Sequence, residues 1–595
     1  MKEKVQLLWN DKRIENMLIP IILVFVSFWD VNRGLDIYDA GYSMSYFLHF
    51  EHYSGNVMIS TFWSSVVGHF FTKLPGGTTW LGLTIYCTII VAGMILVAYF
   101  LFKPLLGWRI TAVLEVFAVC LLWAPNAILY NYLSFFLFAS ALAILLKAIE
   151  SDKTILYIAA GVILGFNTFV RISNLTQVAA IVLVWYYAFE KKRGFSKVVK
   201  RTLLCMAGYI SAVLFSLVII LTLYGYEELK VGIFNLFFLS NSQEDYGIIR
   251  MATGTFLTVF AYVKYLVPLV LMVLVFAVVL RKLERFHKII VCAELGITLL
   301  YYVFIANRFR VFNWNYNFHE SVLGLVCIVL LWGLICGVVA FVWSNNVQLK
   351  MYTLVYVGTF WVLPLGSNNG IYLEMLNMFL LLPLNVYITW ELLKEWEARS
   401  TENNLVECIV SLKVMLASSL LLMSFQTLVY GMNYSYMDTA PEVKTTTSNY
   451  AGVYTSQNRK EMVDSIYVFC EENELIGKEA IFYCHAPGLS FILDMPTAID
   501  STWANWYTFA DYQFYYGLEN IIREHDDGKE LPIVFLHNYY HQYYEGKLSS
   551  WADPEIIVDD KLFMLFKFFG DFEYECIYTD DNYAIYRTTK KENQT

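Results

Sequence analysis

Apolar stretches long enough to cross a lipid bilayer recur along the chain from residue 17 to residue 430 and then stop. A spanning helix needs about 20 apolar residues, because the hydrocarbon core of a bilayer is about 30 Å thick. Pro125-Asn126 and Arg171 interrupt two stretches that would otherwise form single long helices. The pattern predicts about thirteen transmembrane helices, over residues 17–30, 79–102, 110–125, 127–147, 154–170, 172–190, 202–224, 255–280, 288–306, 321–343, 351–366, 371–390 and 406–430.

Beyond residue 430 the pattern changes to short apolar runs separated by polar turns, and residues 503–526 have helical character. Thr-Asp-Asp-Asn between the last two runs is typical of a hairpin turn. The runs that suit strands are residues 479–484, 532–537, 573–578 and 583–588. We therefore predict a polytopic α-helical membrane protein, with a transmembrane domain over residues 1–430 and a small α/β C-terminal domain over residues 431–595.

Composition agrees with this fold class. The chain has 595 residues, of which 58% are hydrophobic and 16% charged, and its mean hydropathy is +0.51. These values exclude a soluble globular protein. Charge also divides the chain, because residues 431–595 hold 12 Lys and Arg against 27 Asp and Glu, whereas the rest holds 30 against 24. The tail is thus predicted to be an acidic, water-exposed domain.

The distribution of basic residues predicts the orientation in a cell membrane. Cytoplasmic loops of membrane proteins carry an excess of Lys and Arg, and alternating the thirteen spans places 22 basic residues on the side of the N-terminus and eight opposite, before residue 431. The N-terminus should be cytoplasmic and the tail extracytoplasmic. The first apolar run is not followed by the small residues of a signal-peptide cleavage site, so the first helix should stay as a membrane anchor. The outer-face loops are then residues 31–78, 225–254 and 307–320.

Two carboxylates lie three residues apart in the first outer loop, where membrane meets water: Asp36 and Asp39. Acids at such a depth are costly for membrane insertion, so a functional role is the first hypothesis. Residues 42–53 and 57–73 mix apolar, polar and aromatic positions and predict helices that lie along the interface. The alternative is that the two acids cap the helix that begins near Tyr42.

Four further segments share a pattern with a known group of enzymes. Asp39-Ala-Gly-Tyr42 resembles a first-loop motif, residues 125–130 followed by 135–150 resemble its third and fourth spans, residues 161–171 resemble a Gly-x-x-x-Gly segment that ends in a basic residue, and Tyr583-Ala-Ile-Tyr-Arg587 resembles a closing strand. Together with the order of one span, a long outer loop, about a dozen spans and an outer tail, they resemble the glycosyltransferase C superfamily, in particular protein O-mannosyltransferases and lipid A aminoarabinose transferases.

This resemblance implies an enzyme that moves a sugar from a polyprenyl-phosphate-linked donor to a glycan, lipid or protein acceptor of the cell envelope, with inversion. The spacing between Asp39 and Tyr42 matches the family motif, which implies that Asp39 is the general base and Asp36 a helper. Ala40 stands where a second acid is usual in the family. Which acid is catalytic therefore stays open, as does a divalent metal; no cofactor is certain.

The departing lipid phosphate requires a cation, and the planar guanidinium of Arg suits phosphate. Arg171 lies at the outer end of the fifth predicted span, among apolar neighbours. It either binds phosphate or extends its side chain toward the membrane interface. Lys264 lies about ten residues into its span and is a candidate for lining a cavity. The candidate substrate-binding residues are Tyr42, Arg171, Lys264, Arg308, Arg310 and His319.

The competing hypothesis is a transporter or flippase of lipid-linked glycans, or an envelope assembly protein without chemistry. A transporter places its decisive polar residues near the middle of the membrane, whereas most candidates here cluster at the outer mouth. Phosphate-binding and dinucleotide glycine motifs are absent from the sequence, which disfavours a nucleotide-sugar donor. The expected partners are a lipid-linked sugar, an envelope acceptor and membrane lipids, and no nucleic acid.

Overall fold

A computed structural model describes residues 12–242, 248–365, 367, 369–403, 406–438, 441–506, 508–547 and 559–589. Within these residues a helix coincides with each of the thirteen predicted spans. The helices are Ile14–Leu18 with Ile19–Ser27, Trp80–Leu106, Trp108–Cys120, Leu129–Ser151, Thr154–Thr168, Ile172–Ile181 with Val182–Glu190, Phe195–Ser242, Ile248–Lys282, His287–Phe309, Glu320–Trp343, Val347–Val362, Tyr372–Met375 with Met378–Asn403, and Val406–Asn433.

Eight of the described helices are long and apolar enough to cross a membrane, and two shorter helices are also apolar. The predicted fold class, a helical membrane protein with a small sheet domain near the C-terminus, is confirmed. Large apolar side chains cover much of the outer surface of the helices, as in Phe215, Leu271 and Leu300. Lipid rather than water is the solvent that such a surface requires.

The second outer loop differs from its prediction. Residues 225–254 are helical on both sides of residues 243–247, which lie outside the described residues. The helix Phe195–Ser242 changes direction at Gly225, whose φ of 84° only glycine adopts readily. Charged residues at 227, 228 and 230 are typical of a loop, although here they lie on a helix, with Glu227 and Lys230 exposed and Glu228 half-buried. The extension brings Gly232, Asn235 and Leu236 next to the first outer loop and the tail.

The first outer loop forms the expected interfacial helices, Asp39–Leu48, Gly55–Met58 and Phe62–Thr72, joined by short 3-10 turns at Phe50–His52 and Ile59–Thr61. The first helix begins three residues before the predicted start at Tyr42. The acids that the sequence singled out therefore stand immediately before the helix and in its first turn.

The tail contains the four predicted strands in one sheet. These are β3 (Ala480–Tyr483), β4 (Ile533–His537), β5 (Tyr574–Thr579) and β6 (Tyr583–Thr588), and they follow a short pair, β1 (Val443–Lys444) and β2 (Tyr454–Thr455). The order is β3-β4-β6-β5; β3 and β4 are parallel and the other pairs antiparallel. The tail helices are Gln457–Glu472, Gly488–Ile492, Asp511–Asp526, Asn538–Tyr544 and Asp560–Asp571. The helix predicted over 503–526 starts only at Asp511.

The tail packs onto the first outer loop through a common hydrophobic core, in which Ile37 and Met44 join Val463 and Phe482. The approach is so close that a Cβ added at Gly41 would lie 2.3 Å from the Cα of Gly488. The backbone N–H of Gly488 also donates to the carbonyl of Ile37 at 2.8 Å. The charge boundary near residue 430 therefore separates two compositions that fold against each other.

Candidate functional site

Asp36 holds the start of the first interfacial helix. Its carboxylate accepts hydrogen bonds from the backbone N–H of Tyr38 at 3.0 Å and of Ala40 at 2.7 Å. Burial, together with the nearby charge of Asp39, raises the pKa of Asp36 to about 7. For this acid the capping alternative describes the geometry well, because the side chain satisfies N–H groups that a helix leaves without partners.

Asp39 has a different environment. It is the first residue of that helix and is half-buried, and its carboxylate accepts a hydrogen bond from the hydroxyl of Tyr436. Burial raises the pKa of Asp39, whereas the Tyr436 hydrogen bond lowers it. Tyr436 follows the last span and is 397 residues away in sequence. Sequence reasoning missed it because no local pattern links positions so far apart.

Two cavities meet at Asp39. The tail-side cavity has a volume of about 310 Å³ and lies between the first outer loop, residues 232–236 and the tail. The loop-side cavity has a volume of about 550 Å³ and lies between the ends of the spans nearest the tail, residues 317–320 and residues 434–438. The residues that line both cavities are Asp39, Tyr130, Trp503 and Trp506. One carboxylate and three aromatic rings thus form their junction.

The tail-side cavity is rich in neutral hydrogen-bonding groups. Its hydroxyl and amide side chains are Ser43, Ser60, Thr61, Ser64, Ser65, Asn235, Ser501, Thr508 and Gln513. Its second acid is Asp500, whose carboxylate accepts from the backbone N–H and the hydroxyl of Ser54 at 3.0 and 2.7 Å. No Lys or Arg is among its described lining residues. Such a wall suits a neutral, polyhydroxylated molecule better than an anion.

The loop-side cavity combines aromatic rings with a few ionisable groups. The ring of His319 stacks on Trp123, with 5.1 Å between centroids, and meets Tyr372 edge-on at 4.9 Å. Burial lowers the pKa of His319, although Glu320 beside it has the opposite effect. Asn131, Asn317 and Asn369 add amide groups to the same wall. The described lining of this cavity has three acids, Asp39, Glu320 and Asp438, and no Lys or Arg.

Arg171 lies behind the wall of the loop-side cavity. Its guanidinium donates to the side-chain oxygen of Asn131 at 3.1 Å and lies 5.6 Å from the ring centroid of Tyr130. The adjoining backbone is fixed by a buried amide network in which Asn167 and Asn174 take part. The charge of Arg171 can therefore act on the cavity through Asn131 and Tyr130, which line it.

The other predicted binding residues divide into two groups. Tyr42 lines the tail-side cavity and its hydroxyl donates to that of Tyr46 at 3.0 Å. Lys264, Arg308 and Arg310 are exposed and line neither cavity. This placement of Lys264 differs from the prediction that it lines a cavity. The sequence gives the depth of a residue along a span, but in a helix that is apolar all round it does not show which face points to the cavity.

Trp503 and Trp506 are the residues of the junction that the sequence did not single out. Their rings lie 4.7 Å apart, and Trp503 lies 5.9 Å from Tyr42. They belong to the stretch predicted as helix, and the irregular turn that replaces it carries them to Asp39. Within the described residues, no group of three or more His, Cys, Asp or Glu side chains is placed to hold a metal ion.

Comparison with known proteins gives matches among solved structures alone. No family model matches the chain, and no curated protein matches it. The oligosaccharyltransferase of Archaeoglobus fulgidus in its apo form is 12% identical, with a TM-score of 0.44 over 90% of this chain and 71% of that one. The same protein in complex with an inhibitory peptide and a dolichol-phosphate is 11% identical, with a TM-score of 0.42 over 90% and 71%.

ArnT from Cupriavidus metallidurans bound to undecaprenyl phosphate is 12% identical, with a TM-score of 0.37 over 96% of each chain. ArnT and the archaeal protein are glycosyltransferases of the C superfamily.

Proposed function

We propose that this protein transfers a sugar from a polyprenyl-phosphate-linked donor to an acceptor of the cell envelope, at the extracytoplasmic face and with inversion. The observation that carries the proposal is the position of Asp39, whose half-buried carboxylate lies in the walls of two cavities at once. A transferase of this kind must hold two substrates on either side of one base. The motif resemblance around Asp39 and Tyr42 supports the same reaction class.

Asp39 is the general base in this proposal. Its carboxylate takes the proton of an acceptor hydroxyl as that oxygen attacks the anomeric carbon of the sugar. The bond from that carbon to the phosphate oxygen breaks on the opposite side, and the lipid phosphate leaves with the bonding electrons. A pKa raised by burial suits the role, because the carboxylate then binds a proton more readily.

The two cavities have different contents in this proposal. The loop-side cavity opens among the ends of the spans and takes the lipid phosphate. Because its own lining is acidic, with Asp39, Glu320 and Asp438, the phosphate is offset by Arg171 behind Asn131 and Tyr130 and by a ring N–H of His319. The tail-side cavity takes the acceptor, whose hydroxyls match its Ser, Thr, Asn and Gln side chains. Asp36 is a positioning residue that fixes the helix on which Asp39 stands.

One observation favours the transporter alternative. Glu115 lies within the helix Trp108–Cys120, is fully buried, and has no hydrogen-bond partner for either carboxylate oxygen among the described residues. An acid inside a membrane bundle is a functional candidate by default. It lines neither of the Asp39 cavities, so it does not bear on the transfer chemistry.

The proposal is tested by incubating the purified protein in lipid nanodiscs with a polyprenyl phosphate that carries a radiolabelled sugar and with an envelope extract as acceptor. We expect label in the acceptor and an anomeric configuration opposite to that of the donor. Movement of the labelled lipid across proteoliposomes, with no glycosyl product, would instead support the transporter. A product with retained configuration would contradict the single displacement.

A further inference from the structure

The loop that carries the two tryptophans is fastened by a buried lysine. The ammonium of Lys561, whose side chain is 2% exposed, donates to the backbone carbonyls of Ala504 at 3.1 Å, Trp506 at 3.0 Å and Phe509 at 2.9 Å. A lysine has three donors, which here bind three carbonyls of one short segment, and the carboxylate of Asp559 lies 3.6 Å from the ammonium as its counter-charge. A buried cation is costly unless it is fully partnered, so this arrangement strongly favours one placement of Ala504, Trp506 and Phe509.

Asp500, which precedes these residues in the chain, is bound to the first outer loop. The carboxylate of Asp500 binds Ser54 of the first outer loop, and the hydroxyl of Tyr46 donates to the Asp500 carbonyl at 3.2 Å. Residues 500–506 are therefore held between the first outer loop and the helix Asp560–Asp571. Trp503 and Trp506 of this segment line both cavities together with Asp39.

We propose that Trp503 and Trp506, with Tyr130, form the contact surface for the pyranose ring of the transferred sugar, and that Lys561 is the positioning residue that holds this surface against Asp39. This inference rests on the proposed function and adds the place of the sugar within it. The sugar must lie between the phosphate and the acceptor, hence at the junction of the two cavities. The residues of that junction are the three aromatic rings and the base.

The rings suit this ligand class chemically. The C–H face of a pyranose is apolar and packs on aromatic rings, while its hydroxyls at the rim require hydrogen bonds. The indole N–H of Trp503 is buried and has no partner among the described residues. An unsatisfied buried N–H is costly, so Trp503 gains a partner when its indole turns the N–H toward a sugar hydroxyl.

The test compares Lys561→Met with Lys567→Met, a substitution of the exposed lysine on the same helix. Hydrogen–deuterium exchange on the purified full chain should increase at least tenfold in peptides covering residues 504–513 for Lys561→Met, with strand β4 unchanged. Lys567→Met should match the wild type. Exchange equal to the wild type in 504–513, or increased equally in β4, would overturn the positioning role.

Binding of the sugar is tested by exchange in the wild-type protein, without any transfer. A polyprenyl phosphate that carries a single hexose should protect residues 500–509, whereas the same polyprenyl phosphate without sugar should not. Equal protection by both lipids would overturn the sugar contact. Failure of transfer with protection by the hexose lipid alone would refute the proposed function and leave this inference standing.

Kinetics distinguish the ring from its N–H. We expect Trp503→Phe, which keeps an aromatic ring, to raise KM for the donor less than threefold, and Trp503→Ala to raise it more than tenfold with a smaller change in kcat. Lys561→Met should raise the same KM in the same direction. An unchanged KM in both Trp503→Ala and Lys561→Met would refute the inference.

Discussion

The two cavities beside Asp39 differ in what forms their walls. The tail-side cavity is formed by hydroxyl and amide side chains from the first outer loop, the helix Phe195–Ser242 and the tail. The loop-side cavity is formed by the ends of membrane helices and by aromatic rings around His319. One side suits a water-borne acceptor and the other a substrate that arrives through the membrane. The tail contributes to both cavities: Asp500 and Gln513 line the tail-side cavity, residues 434–438 line the loop-side cavity, and Trp503 and Trp506 line both.

The largest effect should follow from separating the tail from the first outer loop. In Gly41→Ala the new methyl group would lie 2.3 Å from the Cα of Gly488, so the two backbones must move apart. Misplacement of a substrate-holding wall by about 1 Å can cost roughly 10²-fold in rate. We expect that loss of transfer, together with faster trypsin cleavage of the tail.

The matched control for this separation is Gly570→Ala. Gly570 lies on a tail helix, and a Cβ there would meet nothing within 4 Å. Its activity and protease resistance should equal those of the wild type. If Gly41→Ala is as active as Gly570→Ala, the tail-side cavity does not depend on this contact and the comparison fails.

The next effect concerns the junction and its pH dependence. Burial raises the pKa of Asp39 and the Tyr436 hydroxyl lowers it, so transfer by the wild type should be lost as pH falls through a value above that of an ordinary Asp. Tyr436→Phe removes the donor and raises the pKa of Asp39 further. The acid limb of the pH–rate profile should therefore move to higher pH.

The profile of Tyr86→Phe provides the control, because that hydroxyl binds the carbonyl of Pro75 rather than Asp39. An acid limb that stays in place, or moves to lower pH, in Tyr436→Phe would show that Asp39 does not control the rate. The direction of the shift matters more than its size.

His319→Ala tests the loop-side cavity. One hydrogen bond to a charged group is worth roughly 1.5–3 kcal/mol, so KM for the lipid-linked donor should rise about tenfold or more. The KM for the acceptor should change little. A rise confined to the acceptor KM would reverse the assignment of the two cavities.

The smallest effects should come from the exposed basic residues. Arg308→Gln, at a position outside both cavities, should change kcat/KM by less than about twofold. Arg171→Gln removes the guanidinium that binds Asn131 and should lower kcat/KM by about tenfold. Equal losses in the two variants would mean that Arg308 approaches the substrate and that the cavities are drawn too narrowly.

Much of the fold could be predicted from hydrophobic patterning, because membrane helices and buried strands have simple periods. The thirteen helices and the four strands of the tail sheet are examples. The charged residues of the second outer loop predict a loop rather than a helix, whereas Glu227 and Lys230 lie exposed on the helix Phe195–Ser242. Asp39 stood out as an acid near an apolar helix, and Tyr42 through its spacing.

The rest of the site depends on contacts between distant segments. Tyr436, Trp503 and Lys561 reach Asp39 or its surroundings from the end of the last span and from the tail, and no periodicity connects them to residue 39. Burial faces also decide which basic residues reach the cavities. Arg171 adjoins the loop-side wall whereas Arg308 does not, although each lies just after the end of a predicted span.

The central claim is that Asp39 is the base at the junction of two substrate cavities. The most direct test is the single-turnover rate of sugar transfer from a bound lipid-linked donor, compared among the wild type, Asp39→Asn and Glu51→Gln. Glu51 is an exposed acid of the same loop and serves as the control. Removing a general base costs roughly 10²–10⁴-fold, so we predict that loss in Asp39→Asn with donor affinity retained and Glu51→Gln unaffected. Transfer by Asp39→Asn at the wild-type rate would contradict the account.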